Sequence, residues 1–220
     1  ALLVESARGV LQPLAAAIMA CCWAASAVGG LWCAGAGVPG WLGSRLLGDE
    51  ASVQVEGLRE GTYHGRTPTS ALGNAFVYHR AVDQIIDNAL RAEREGFDAF
   101  VIGSFSEPLL REIRSAVDIP VTGILESSML VSLSLGRRVA PIANAPEISF
   151  IVQSAVDKHG LESRVLPCVP LDPPMHEAEL LAAASSNPDA LIEAFRRSAR
   201  HAIAQQGADV IVPAEAVLAS

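Results

Sequence analysis

Two phrases of the chain each end in a polar side chain that is placed to do chemistry. Gly96-Phe-Asp98 and Gly207-Ala-Asp209 both open on Gly-x-Asp, continue as an apolar run, and close six positions after the aspartate on Ser104 and Glu215. A carboxylate at the end of a buried strand loses hydration, which favours its neutral form and moves it toward what a general base needs near neutral pH. Glu215 is therefore the candidate catalytic acid or base, set against the plainer reading of a surface acid beside a helix start. No His or Lys lies close in sequence to activate Ser104, so its hydroxyl is neither base nor nucleophile by itself; it can donate a hydrogen bond to an oxyanion or carboxylate. The residues around it lack the glycine pattern of a nucleophile elbow.

Further polar groups cluster where strands are expected to end, and these are the candidate substrate-binding residues. Ser106 shares the loop of Ser104. Glu126, Ser127 and Ser128 stand at an expected strand-to-helix junction, where the two serines either cap the helix or, with its free N–H groups, form an anion site. Asn144 lies in the turn 141–146. His64 belongs to a polar stretch, 59–74, that reads as a substrate-covering loop carrying Tyr63, Arg66, Thr67 and Thr69 as well. Tyr78 and His79 begin the helix that follows. The five histidines, His64, His79, His159, His176 and His201, show no paired spacing on a helix, so no metal is expected. Cys21, Cys22, Cys33 and Cys168 form neither a zinc pattern nor a disulfide framework and read as small buried hydrophobes.

These side chains need a scaffold of alternating strands and helices. Residues 76–95 carry apolar side chains at helical spacing and stop at Arg91, Arg94 and Gly96. A strand over 99–103 follows, then a helix opened by Glu107-Pro108 and running to about Ala116. A strand over 119–125 leads into a helix ending near Gly136. The second half repeats the plan: strand 138–143, helix 146–159 closed by Gly160, strand 164–169, loop 171–176, helices from Glu177, a long helix 189–206, and strand 210–213 delivering Glu215. This order predicts an α/β fold of two pseudo-symmetric lobes, each a parallel sheet flanked by helices, with the site in the cleft between them. The lobes are expected at 1–135 and 136–220, and internal duplication is the simplest origin.

Composition limits the partners. Half of the 220 residues are hydrophobic, only 5% are aromatic, and the net charge is −8. Such usage suits buried parallel strands, and the acidic balance argues against nucleic acid. A small molecule is the expected partner, a cytoplasmic address is the default, and the apolar helices permit a homodimer or higher homo-oligomer. Residues 1–50 are atypical, with no charged residue from Gly9 to Ser44. That length would permit a membrane span or signal, but Pro13, Gly29, Gly30 and further glycines break it and no basic cluster precedes it. The reading preferred is strand 2–4, a buried helix 10–27 and a Gly-rich connection, with Trp23, Trp32 and Trp41 as packing residues.

From about Val53 to the end, the chain resembles the aspartate/glutamate/hydantoin racemase superfamily, and within it hydantoin-racemase-like members. The resemblance rests on residues 96–108, on Ile119-Pro-Val-Thr-Gly-Ile-Leu-Glu126-Ser, on Leu135-Gly136-Arg137-Arg138, and on residues 207–218. It implies two α/β lobes with the site between them and cofactor-independent removal and return of a proton beside a carbonyl, performed by two cysteines on opposite faces. Those cysteines fall on Ser104 and Glu215, neither of which is cysteine. The chain also lacks the family's Thr-rich turn at 141–146 and its Asn-Pro-Asn turn after the first strand. The function expected is a racemase or epimerase acting on a small carboxylate or hydantoin-like substrate. The alternatives are a decarboxylase or other lyase, a hydrolase, and a non-catalytic small-molecule-binding member.

Overall fold

The computed structural model describes residues 56–65, 74–215 and 218. The expectations for the first quarter, including its strand, helix, tryptophans and three cysteines, lie outside these residues. So do Arg66, Thr67 and Thr69.

The first helix, α1 (Ala75–Arg94), forms where the helical spacing predicted it. Asn74 caps it, its side chain accepting from the N–H groups of Phe76 and Val77, and Ala81, Val82, Ile85 and Ala89 form the buried face. The turn before it is not an open loop in its described part. Tyr63 is buried, and Arg59 pairs with Asp87 of α1 at 2.9 Å.

Strand β1 (Phe100–Ile102) pairs in parallel with β2 (Val121–Gly123), Phe100 opposite Val121 and Ile102 opposite Gly123. Between them α2 (Leu110–Ala116) starts later than Glu107-Pro108 suggested. Glu107 and Leu109 have φ of +43° and +57°, so the chain turns through left-handed backbone before the helix begins. The predicted strand 119–125 is also shorter, because Ile124 and Leu125 belong to α3 (Ile124–Leu135). Periodicity cannot separate a short buried strand from the first turn of a buried helix, and here the helix wins. Its cap position is Gly123, without a side-chain cap, so neither Ser127 nor Ser128 serves as the cap.

The second sheet has the order β4-β3-β5, with β3 (Val139–Ala143) central, β4 (Val169–Pro170) and β5 (Val210–Pro213), all parallel. Every residue of β3 is buried, as expected for a strand covered on both faces. The predicted strand 164–169 shrinks to β4 and a single bridge from Val165 to Val139. Helices α4 (Pro146–Lys158), α5 (Glu177–Ser186) and α6 (Pro188–His201) complete the layers, and α6 runs on into a π-helical turn over Ala202–Gln206.

Both repeated phrases fold alike at their start: Gly96 and Gly207 take φ of +84° and +70°, ending a helix and leading into β1 and β5. The parallel α/β class is therefore present in two sheets. Leu125 and Met129 of α3 are fully buried among Val139, Val152, Val156, Val210 and Val212, so α3 contributes to the core of the second sheet. Each such side chain stabilises the fold by about 1.5–3 kcal/mol.

Candidate active site at the strand ends

At the carboxyl edge of the second sheet, Asn144 follows the end of β3 and Glu215 lies two residues past the end of its neighbour β5. Val139 to Ile142 pair with Val210 to Pro213, and the Ala214 N–H donates to the Ile142 carbonyl at 2.7 Å. Glu215 is half-buried. On the other flank, the Met175 N–H donates to the Asn144 carbonyl, and the Asn144 amide nitrogen donates to the Met175 carbonyl, both at 2.9 Å. This leaves Asn144 Oδ1 buried with no partner among the described residues, an acceptor that a water or ligand N–H would satisfy. Next to it, His176 Nδ1 lies 2.7 Å from Glu147 at the start of α4. Glu147 is held below the usual carboxylate range, first by its own backbone N–H and then by His176.

At the carboxyl end of β1, Ser104 and Ser106 share a hydroxyl hydrogen bond of 2.8 Å, and the Ser106 N–H donates to Ser104 Oγ at 3.3 Å. One of the two hydroxyl protons satisfies this bond; the other is available to an acceptor. Phe105, between them, packs in the same apolar cluster as Ala214, the neighbour of Glu215. Ser127 is bonded to Thr122 at 2.6 Å, and both Ser127 and Ser128 are half-buried in the first turns of α3.

A third group, absent from the sequence reading, joins the two halves. Glu107 is 1% exposed, its Oε2 is 2.5 Å from His159 Nε2, and its Oε1 accepts the Glu126 N–H at 2.9 Å. Glu126 in turn receives Arg114 at 2.6 Å and faces His159 Nδ1 at 3.6 Å. The Arg114 guanidinium holds the Glu126 carboxyl below its ordinary range, and the same bond raises Arg114.

The structure thus joins Ser104 with Ser106, and brings Asn144 and Glu215 to the carboxyl ends of neighbouring strands. Glu126 is committed to Arg114. His64 lies in an exposed turn with φ of +51°, and Tyr78 and His79 are exposed on α1. Glu107, His159 and Arg114 were missed because their meeting is non-local: Glu107 and His159 are 52 residues apart. The only local hint was an acid set before Pro108 in a loop, which reads equally well as a helix start. Among the described residues, no group of three or more His, Cys, Asp or Glu side chains could hold a metal ion, and no helix is long and apolar enough to cross a membrane.

The family profile described as Asp/Glu/Hydantoin racemase matches residues 71–218. A hydantoin racemase of Pseudomonas sp. (strain NS671) is 30% identical over 143 residues, covering 65% of this chain and 55% of the relative. A hydantoin racemase of Rhizobium meliloti is 27% identical over 146 residues, covering 66% and 58%. The chain spans little more than half the length of these curated relatives. Among solved structures, an allantoin racemase from Klebsiella pneumoniae superimposes with a TM-score of 0.52 at 20% identity, over 63% of this chain and 54% of that one, a likeness of fold.

Proposed function

The chain belongs to the Asp/Glu/hydantoin racemase family, and from that premise we propose that it is a racemase or epimerase working without a cofactor on a hydantoin-like or carboxylate substrate. The observation that supports this reading is the matching position of Glu215, two residues past the end of β5, and Ser104, two residues past the end of β1. In this reading the ligand lies between the two sheets, with 1–135 and 136–220 as the two lobes.

Glu215 removes the proton from the carbon next to the carbonyl, and the electron pair left behind moves onto the carbonyl oxygen as an enolate. The Ser104–Ser106 pair gives its available O–H to that oxygen, where negative charge develops. Asn144 Oδ1 accepts an N–H of the ring, and Ser127 and Ser128 in the first turns of α3 contact the substrate beside the Glu107 carboxylate that already takes the Glu126 N–H. Glu126 shapes that end from its bond to Arg114. Because a serine is a poor acid or base near neutral pH, solvent supplies the proton on the opposite face, and protonation from either side gives both enantiomers. Glu215 and Ser104 take the positions at which the family carries its two cysteines.

The test is the loss of optical rotation of single-enantiomer 5-substituted hydantoins. The wild type should racemise them and Glu215→Gln should be slower by at least about a hundred-fold, the usual share of a general base. Equal rates in both proteins would remove Glu215 from the mechanism. The one-base arrangement also suits decarboxylation of a malonate, where a single proton donor quenches the enediolate. Carbon dioxide released from an arylmalonate, with no racemisation of hydantoins, would move the protein to the lyases.

A further inference from the structure

The chemistry proposed above leaves the buried carboxylate of Glu107 unused. Glu107 sits between Ser106 and Pro108, with its carboxylate turned inward on left-handed backbone, a conformation that costs a non-glycine residue about 1–2 kcal/mol per position. Its carboxylate fits against Gly123, where even a methyl group would lie 2.0 Å from Oε1. One oxygen takes the N–H of Glu126 at the start of α3, and the other takes His159, the residue that ends α4. Strain at a non-glycine residue persists only where the surroundings fix it, and it concentrates at functional sites.

We propose that Glu107 and His159 are positioning residues that hold the Ser104–Ser106 loop in its working geometry; this rests on the reading of Ser104 as the group that meets the enolate oxygen. The Glu107 N–H donates to the Ser104 carbonyl at 3.1 Å, so the backbone that presents Ser104 and the carboxylate that anchors it belong to one residue. That carboxylate ties the loop to α3 on one side and to α4 on the other. His159 touches no substrate: both of its ring nitrogens face carboxylates, Nε2 toward Glu107 and Nδ1 toward Glu126, which Arg114 holds from behind. The ring is therefore unavailable to deprotonate a serine. What it does is fix the loop across the boundary between the halves, so that its loss shifts the Ser104 hydroxyl relative to a base on the other sheet.

The experiment compares wild type, His159→Ala, His159→Gln and Glu107→Gln by kcat and KM on a 5-substituted hydantoin, and by amide hydrogen exchange. Misplacing a catalytic group by about 1 Å costs on the order of a hundred-fold. With wild type active, kcat should fall by about that factor in His159→Ala and Glu107→Gln while KM holds. His159→Gln, whose amide can still donate to Glu107, should recover part of it. Exchange should quicken over residues 104–110 and not over α6. Variants that melt lower but keep the wild-type kcat per folded molecule would overturn the proposal and leave the function standing. A wild type inactive on every substrate would overturn the function instead. The exchange data then decide the loop anchor alone: quickening confined to 104–110 supports it, and unchanged protection there overturns it.

Discussion

Replacing Gly123 with alanine should destabilise the protein strongly, although the backbone at that position welcomes a side chain. Gly123 has φ −113° and ψ 155°, ordinary extended backbone. At such a position glycine to alanine normally stabilises by about 0.4–1 kcal/mol, through the unfolded chain. Here the new methyl would stand 2.0 Å from Glu107 Oε1, 2.4 Å from its Cδ and 2.8 Å from its Cγ. The carboxylate cannot swing aside, because it is 1% exposed and fixed by His159 and by the Glu126 N–H. Expelling it breaks the buried hydrogen bond to His159 and orphans a backbone donor at a helix start, a combined cost of about 3–5 kcal/mol. For a chain of this size each kcal/mol moves the melting point by about 2–4 °C, so Tm should drop by roughly 6–20 °C. Thermal melts followed by circular dichroism, with urea titrations, measure it. In a Glu107→Ala background the clash disappears, so adding Gly123→Ala should cost little more, a clear failure of additivity. A Gly123→Ala protein as stable as wild type, or more so, would refute the packing of Glu107 against this glycine.

Further outcomes follow from the same contacts. Asp209 accepts the N–H groups of Arg138 and Arg137 at 2.7 and 3.0 Å, and these bonds hold its carboxyl below the ordinary value. A depressed carboxylate contributes stability above its unfolded pKa of about 3.9 and loses it as pH falls through the folded value. The Tm gap between wild type and Asp209→Ala should thus be constant from neutral pH down to about 5 and close below about 4; a gap that persists in acid would contradict the assignment. Burial pushes the Cys168 thiol up to about 11, so at pH 8 iodoacetamide should label it only slowly in the folded protein and quickly in urea. Equal rates in both states would show that Cys168 is not sheltered as described.

Features set by neighbouring residues were legible in the sequence. Helical spacing from Phe76 onward, with Arg91, Arg94 and Gly96 at its end, defined α1 almost to the residue, and Gly207 announced β5. The repeated phrase led to Ser104 and Glu215 because a strand end is a local event. Where contacts are distant, the sequence was silent. Ile124 and Leu125 satisfy a buried strand as well as a buried helix, and only packing against the second sheet separates the two. Glu107 beside Pro108 fits a helix start, yet its carboxylate serves α3 and α4 rather than α2. The two aspartates of the repeat look equivalent on paper. In space Asp209 binds the N–H groups entering β3, whereas at the entrance to β2 it is Glu93 that accepts from Asp118 and Ile119.

Proton exchange at carbon tests the central claim most directly. In heavy water, with 5-substituted hydantoins, amino acids and arylmalonates followed by proton NMR, the wild type should replace the hydrogen next to the carbonyl of a hydantoin by deuterium. Glu215→Gln, equally folded, should not. Exchange that survives in Glu215→Gln would contradict the assignment of the base, and a wild type that exchanges no carbon-bound proton on any of these substrates would contradict the reading of this protein as a carbon-acid racemase.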